Sequence, residues 1–192
     1  MANQSSTGFG LKPIKMVGQS DENMGLAEFP VAASSSAIYF QDMVAMAATG
    51  YAAVAAAATT HNLGSLNGVF YTDTTSLKPT FKNYLPGSIT ASDIKALINS
   101  NPLQMYEVRS NNSGASAQTD VGNSAEISYS AGVTPNWVSR TTLDDSTLNN
   151  STSQQLKIVG LSRDPDNQDL TAAGVVWRVI IMENFALAVT AV

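Results

Sequence analysis

Apolar residues recur along most of the chain in short runs with the period of β-strands. Between Glu126 and Ala131 polar and apolar residues alternate, which is typical of a strand with one buried face. Other runs rich in β-branched and aromatic residues also favour strands, and they cover Ile38–Gln41, Leu103–Arg109, Gln155–Leu161 and Val175–Met182. The pattern predicts a mainly β protein with one β-barrel-like or β-sandwich-like domain over residues 31–192.

The segments between these runs predict how the strands are connected. The Ala-rich stretch Met43–Ala58 is interpreted as two strands that turn at Thr49-Gly50. Asn67-Gly68 is expected to form a hairpin turn, because both central residues of a type I′ turn need positive φ angles. Ser92–Ile98 is expected to form a short helix, with a Ser or Thr residue available to cap it.

Residues 1–30 are expected to form an extended N-terminal arm. Glycines and prolines interrupt this segment too often for a helix. The arm nevertheless carries large apolar side chains that have nothing local to pack on, namely Phe9, Leu11, Ile14, Met16 and Val17. The sequence therefore predicts an arm that lies on another protein chain.

The low charge of the chain indicates a protein whose surface meets other subunits. Charged residues make up 13% of the 192 residues, against roughly 25% in typical soluble domains. Desolvating charge is expensive, so a surface of small polar residues suits protein contacts. The net charge is −5 and the ten basic residues do not cluster in the sequence. This distribution argues against binding to nucleic acid or to an anionic membrane surface.

The cysteine count and the absence of targeting patterns indicate the compartment of the protein and its redox chemistry. There are no cysteines, which excludes disulfides, a thiolate zinc site and a Cys nucleophile. The first residues do not have the pattern of a secretory signal, and Met43–Ala58 is too short and too rich in Ala to cross a membrane. We expect a protein that is made in the cytoplasm and stays soluble until it meets a partner.

Few residues offer catalytic or metal-binding chemistry. His61 lies in a polar turn without an accompanying nucleophile motif, and Asp144-Asp145 are interpreted as part of a solvated loop. Asp164, Asp166 and Asp169 with Asn167 form the best candidate for a metal site, but Pro165 makes a simple turn the preferred interpretation. We expect no enzymatic activity, no cofactor and no metal. The aromatic residues Phe70, Tyr71, Phe81 and Tyr84 are expected to serve core or interface packing.

Several strand and turn segments between Ile38 and Phe185 together carry a family resemblance. They include Tyr39-Phe40-Gln41-Asp42-Met43-Val44, Gly68-Val69-Phe70-Tyr71-Thr72-Asp73, Asn83-Tyr84-Leu85-Pro86, Leu156-Lys157-Ile158-Val159-Gly160-Leu161 and Val179-Ile180-Ile181-Met182-Glu183-Asn184. In these segments the chain resembles the capsid decoration, or cement, proteins of tailed bacteriophages. The resemblance implies a β-barrel-like body that attaches to the assembled capsid and has no enzymatic activity.

Partners and location are expected from the same resemblance. A decoration protein binds the major capsid protein on the outer surface of the virion and stabilises the assembled shell. The five apolar arm residues are then the candidates for the capsid interface. The apolar strand Val175–Met182 and the uncharged tail Phe185–Val192 predict a symmetric self-assembly, and analogy with other decoration proteins implies a homotrimer.

Two other functions are compatible with the sequence. The chain is also typical of another virion structural protein, such as a head fibre, a tail subunit or a minor capsid subunit. A small carbohydrate-binding β-module is the alternative from a different class. That alternative would be favoured if Trp137 and Trp177, or the tyrosines, lay exposed in one shallow groove.

Overall fold

The computed structural model describes residues 7–18, 25–112, 115–151 and 154–187, and these residues form a mainly β structure. The strands in these ranges are β1 Lys12–Met16, β2 Leu26–Pro30, β3 Met43–Met46, β4 Ala52–Val54, β5 Asn62–Thr72, β6 Pro79–Lys82, β7 Lys95–Asn99, β8 Gln104–Arg109, β9 Ser124–Ala125, β10 Ile127–Ser128, β11 Thr142–Leu143, β12 Leu156–Leu161 and β13 Val176–Ile181. The helical segments of the described ranges are single 3-10 turns at Gln118–Asp120, Asp145–Thr147 and Phe185–Leu187.

The strands form two main antiparallel sheets that pack as a sandwich. The first sheet has the order β1-β8-β13-β12-β9, and the second has the order β2-β7-β5-β3-β4 with β6 also paired to β5. A small third sheet joins β10 and β11. The sheets do not close into a barrel. The prediction of a mainly β fold is confirmed. Of the two predicted forms, barrel-like and sandwich-like, the structure has the sandwich-like one.

The main core lies between the two sheets. Trp177 and Val179 of β13 and Tyr106 of β8 face inward from the first sheet, and they pack in one cluster with Met43 and Ala45 of β3. Alternate residues of β13 point into this cluster, because successive side chains of a strand point to opposite faces. Burying one such large apolar side chain contributes roughly 1.5–3 kcal/mol.

Two buried hydrogen bonds connect the sheets through this core. The hydroxyl of Tyr106 donates to the carbonyl of Asn99 on β7 at 2.6 Å, and the hydroxyl of Ser65 on β5 donates to the carbonyl of Leu11 at 2.6 Å. Burial raises the pKa of Tyr106, so its hydroxyl stays protonated and remains a donor. Since buried polar groups need partners, these bonds fix how the sheets sit on each other.

A second core covers the other face of the second sheet. Val44, Leu66 and Ile98 point away from the first sheet and pack against side chains from two connecting segments, residues 31–41 and 85–94. The backbone of Ile38 pairs with that of Leu85, at N–O distances of 3.1 and 2.8 Å. The second sheet is therefore a middle layer, buried on one face by a sheet and on the other by these segments.

The predicted turn at Thr49-Gly50 is confirmed. β3 and β4 form an antiparallel hairpin, and the amide of Ala47 donates to the carbonyl of Tyr51 at 2.9 Å. Gly50 has a φ angle of +78°, which glycine adopts without the steric cost that a Cβ would cause. The position of this glycine is therefore explained by the backbone of the turn.

The predicted hairpin at Asn67-Gly68 is wrong. Both residues lie inside the eleven-residue strand β5, where the register to β7 shifts between Leu66 and Gly68. A Cβ on Gly68 would lie 2.6 Å from the Phe81 ring. The glycine therefore serves close packing at a bulge instead of a turn.

The predicted helix Ser92–Ile98 is also wrong. Its second half forms β7, which pairs with β2 on one side and with β5 on the other. Ala96 and Ile98 alternate into the second core. Pairing on both edges and burial of one face outweigh the local helix preference of Ala and Leu.

The extended conformation predicted for the N-terminal arm holds in part, and its described strands pair within the chain instead of forming a free arm. β1 pairs with β8 and β2 pairs with β7, so residues 12–16 and 26–30 are edge strands of the chain's own sheets. Leu11 is 0% exposed within the main core. The sheets need these edge strands, and their pairing satisfies backbone groups that a free arm would leave to water. Residues 1–6 and 19–24 of the predicted arm lie outside the described residues.

The burial of Leu11 predicts that Leu11→Ala destabilises the protein by roughly 2–5 kcal/mol, because it removes core contacts and leaves a cavity. Val17→Ala, six residues further on at a position 43% exposed, should change the free energy of unfolding by less than about 0.5 kcal/mol. Urea unfolding followed by tryptophan fluorescence measures both values. Equal and small effects of the two substitutions would show that this segment does not belong to the body.

Candidate interaction surfaces

Two phenylalanines lie side by side on the face of the second sheet that looks toward the first sheet but extends beyond it. Phe70 of β5 stands opposite Phe81 of β6 in the strand register, and their exposures are 40% and 57%. Gly68 lies against the Phe81 ring, and Leu97 stands opposite Gly68 on β7. We call these four residues the phenylalanine patch, in which Phe70 and Phe81 are exposed, Leu97 is half-buried and Gly68 is buried. Exposed aromatic side chains that are neighbours on a sheet are typical of a contact surface.

An ion pair borders the phenylalanine patch. Lys95 stands opposite Phe70 in the register, and its ammonium lies 3.0 Å from the carboxylate of Glu28. Both side chains are more than half exposed, so the pair adds little stability. It gives the patch a polar rim, which is the usual composition of a protein interface.

A second group of exposed apolar side chains lies near the C-terminal end of the described chain. Met182 is 40% exposed, Phe185 37% and Leu187 63%. The amide of Leu187 donates to the carbonyl of Asn184 at 3.1 Å and holds the last 3-10 turn. We call these three residues the C-terminal apolar group. Residues 188–192 of the predicted apolar tail lie outside the described residues.

The outer face of the first sheet brings together basic residues that are far apart in sequence. Lys12 and Arg178 flank Glu107 in one row across β1, β8 and β13, and Lys15 and Lys157 lie in the next row. In the folded chain these basic residues share a face, although they are dispersed in the sequence. β13 is central in the sheet but buried on its inner face only, since Val176, Arg178 and Ile180 are partly exposed.

Three aromatic rings stack at the surface near residues 131–138. Trp137 stacks on Tyr84 with ring centroids 4.1 Å apart, and it lies 6.1 Å from Tyr39. The three side chains are half-buried. Trp177 is fully buried in the main core. The two tryptophans therefore do not share the shallow groove that a carbohydrate-binding module was expected to show.

A buried carboxylate lies beneath this aromatic stack. Asp42 is 0% exposed, and its Oδ2 accepts a hydrogen bond from the amide of Tyr39 at 2.8 Å. Its Oδ1 has no hydrogen-bond partner in the described part of the chain. Burial raises the pKa of Asp42 from 3.8 to about 6, although the hydrogen bonds from Ser139 and Tyr39 oppose the shift. Desolvation favours the neutral acid here.

The polar residues weighed in the sequence as catalytic or metal-binding candidates have structural partners. Asp145 is buried and accepts a hydrogen bond from Ser110, so the interpretation of this position as a solvated loop was wrong. Burial raises the pKa of Asp145. His61 is 9% exposed, with its Nδ1 2.9 Å from the hydroxyl of Thr60. Asn167 donates to and accepts from the backbone of Val176.

Among the described residues, no group of three or more His, Asp or Glu side chains is placed to hold a metal ion. The helical turns of those residues are too short and not apolar enough to span a bilayer.

The five arm residues predicted for the capsid interface are placed differently from one another. Leu11 is in the main core and Val17 is exposed, while Phe9, Ile14 and Met16 are half-buried. They do not form one exposed apolar surface. Phe70 and Phe81 do form such a surface. The sequence placed both among the aromatic residues for core or interface packing, but only the register of β5 and β6 shows that they face each other.

Comparisons of the chain with protein-family models, with curated proteins and with solved structures find no match.

The buried Asp42 predicts a pH dependence of stability. Its pKa in the folded protein exceeds its ordinary value of 3.8, so the native state binds the proton more tightly than the unfolded chain. Its contribution is fully present below about pH 4 and is lost as the pH rises through about 6. At about 1.4 kcal/mol per pKa unit, the change amounts to about 3 kcal/mol.

Asp42→Asn should remove this part of the pH dependence. Urea unfolding of both proteins at pH 3.5 and pH 8 measures it, and the comparison cancels the other titrating groups. Asp166→Asn, an exposed position, serves as the control and should leave the pH profile unchanged. An equal pH dependence in wild type and Asp42→Asn would contradict the raised pKa.

Proposed function

We propose that this protein is a structural component of a virus particle, a decoration protein that binds the outer surface of an assembled tailed-bacteriophage capsid. Its partner is the major capsid protein, and its role is to stabilise the shell and not to catalyse a reaction. The resemblance in the strand and turn segments supports the phage assignment. The phenylalanine patch is the observation that carries the proposal of a surface-binding role.

The phenylalanine patch has the features of a binding surface. Two aromatic rings provide a large apolar area at low entropic cost, and aromatic residues dominate the affinity of many interfaces. Gly68 lets the Phe81 ring lie close to the strand, so the ring is held before a partner arrives. Attachment through this patch replaces attachment through an arm, since Leu11 is committed to the core.

We also propose that the protein forms a homotrimer on the capsid. The C-terminal apolar group supports self-association, because Phe185 and Leu187 leave apolar area in water in an isolated subunit. The number of subunits comes from analogy with other decoration proteins. A symmetric trimer suits positions where three capsid subunits meet.

The proposed capsid attachment predicts that the protein copurifies with phage heads and that Phe70→Ser with Phe81→Ser reduces head binding about 100-fold or more. Leu77→Ser is the control, because Leu77 is 76% exposed and lies outside the patch. Sedimentation of purified heads lacking the protein, mixed with each variant, measures binding.

Two results would contradict this assignment. Mass spectrometry of separated heads and tails that finds the protein only in tails would contradict capsid decoration. Full head binding by the double variant, with its melting temperature unchanged, would show that attachment uses another surface.

The trimer proposal predicts a threefold mass in analytical ultracentrifugation at micromolar concentration. Phe185→Ser with Leu187→Ser should shift the protein toward the monomer, because the apolar area that drives association is removed. Leu103→Ser, at a position 57% exposed and distant in sequence, should leave the mass unchanged. A wild-type monomer both in solution and as isolated copies on the particle would disprove the trimer.

A further inference from the structure

A cavity of about 370 Å³ lies at the edge of the first sheet, between the start of β1 and the segment that follows β12. This volume falls within the range of small-molecule sites, roughly 300–1,000 Å³. It is lined by Phe9, Lys12, Gln41, Glu107, Ser162, Asp164, Asn167 and Val176. The phenylalanine patch and the C-terminal apolar group contribute no residue to it. The cavity is therefore separate from the surfaces of the proposed function.

One side of the cavity carries a carboxylate that is fixed in place. Glu107 accepts a hydrogen bond from the hydroxyl of Ser162 at 2.6 Å and lies 3.4 Å from the ammonium of Lys12. Ser162 is almost fully buried, whereas the Lys12 side chain is 55% exposed. The carboxylate of Glu107 is thus held in place by Ser162 before any ligand binds. The cavity therefore presents an acceptor, the Glu107 carboxylate, next to a donor, the Lys12 ammonium.

Two further lining residues, Gln41 and Asp164, carry polar groups that retain hydrogen-bonding capacity. The side-chain amide of Gln41 forms no hydrogen bond to the described part of the chain, although its backbone bonds to Leu66 and Leu11. The φ angle of Gln41 is +67°, a conformation that non-glycine residues rarely adopt and that is often found at functional sites. Asp164 uses one carboxylate oxygen for the amide of Asp166, which leaves its second oxygen for a ligand.

The charges of the lining largely offset one another. The ammonium of Lys12 is paired with the carboxylate of Glu107, and the remaining carboxylate, Asp164, would repel an anion but is exposed, so solvent screens its pull on a cation. The lining therefore favours a neutral ligand that both donates and accepts hydrogen bonds. Hydroxyl groups do both, and a carboxylate, an amide and an ammonium are suitable partners for them.

The remaining walls are apolar. Phe9 and Val176 line the cavity beside these polar groups, and Phe9 is half-buried. An aromatic ring with polar groups around it fits a ligand that has an apolar C–H face and hydroxyls at its edge. We propose that this cavity is a binding site for a neutral saccharide unit, with Gln41, Glu107 and Asp164 as its hydrogen-bonding residues.

Nuclear magnetic resonance of the full chain, labelled with ¹⁵N, tests the proposal. The probes are methyl α-D-glucopyranoside, methyl α-D-mannopyranoside, methyl β-D-galactopyranoside and N-acetylglucosamine, with sodium sulfate as the anionic comparison. We expect saturable shifts for at least one sugar at the amides of Phe9, Gln41 and Asp164, and none for sulfate. Shifts at Trp137 and Tyr84 would report binding at the aromatic stack instead.

Two substitutions and a matched control locate the site. Gln41→Asn shortens the side chain while tolerating the positive φ angle, and Asp164→Ala removes a carboxylate. Each should weaken sugar binding about tenfold or more, the loss expected for a hydrogen bond to a polar ligand. Asp166→Ala removes an exposed carboxylate that does not line the cavity and should bind the sugar as the wild type does.

The outcomes separate this proposal from the proposed function. Absence of saturable shifts for all four sugars, binding of sulfate in the cavity, or shifts confined to the aromatic stack would each overturn the saccharide site. Unchanged affinity of both Gln41→Asn and Asp164→Ala would also overturn it. None of these results bears on head binding, which depends on Phe70 and Phe81.

Discussion

The arrangement of the two sheets depends on a small buried contact between Tyr106, Asn99, Ser65 and Leu11. The hydroxyl of Tyr106 in the first sheet reaches the carbonyl of Asn99 in the second, and the hydroxyl of Ser65 in the second sheet reaches the carbonyl of Leu11, directly before β1. A Cβ on Gly64 would meet the carbonyl of Asn99 and the hydroxyl of Tyr106. Close approach is possible only because residue 64 is glycine. Since each bond is buried, a different sliding of the sheets would leave polar groups without partners. The position of the phenylalanine patch relative to the first sheet follows from this contact.

Local patterns predicted the strands that are long and alternate regularly. β8, β12 and β13 were expected because β-branched and aromatic residues recur there with the period of a strand. Predictions failed where distant pairing decided the structure. Ser92–Ile98 has local features of a helix, but β2 and β5 lie on both sides of it. Asn67-Gly68 has the local sequence of a turn, but the glycine is required because the ring of Phe81 lies against it. Nothing near either segment in sequence signals these neighbours.

The candidate sites were harder to predict than the fold, because their residues come from separate segments. The phenylalanine patch needs the register between β5 and β6, and the cavity combines residue 9 with residues 41, 107 and 164. The sequence did identify the aromatic residues as packing or interface candidates. It also assigned apolar residues before Gly18 to an interface, whereas Leu11 completes the core. Apolar character alone does not distinguish a side chain that serves its own chain from one that serves a partner.

The pairing of β1 with β8 has a consequence for the synthesis of the chain on the ribosome. Lys12 meets Glu107, which is made 95 residues later. At roughly 5–20 residues per second, translation leaves the first strand without its neighbour for roughly 5–20 s. During this time Leu11 and Ile14 are open to solvent and to other nascent chains. Pro13 lacks an amide donor, and Lys12 and Lys15 carry charge, so this waiting strand is a poor template for intermolecular sheet growth.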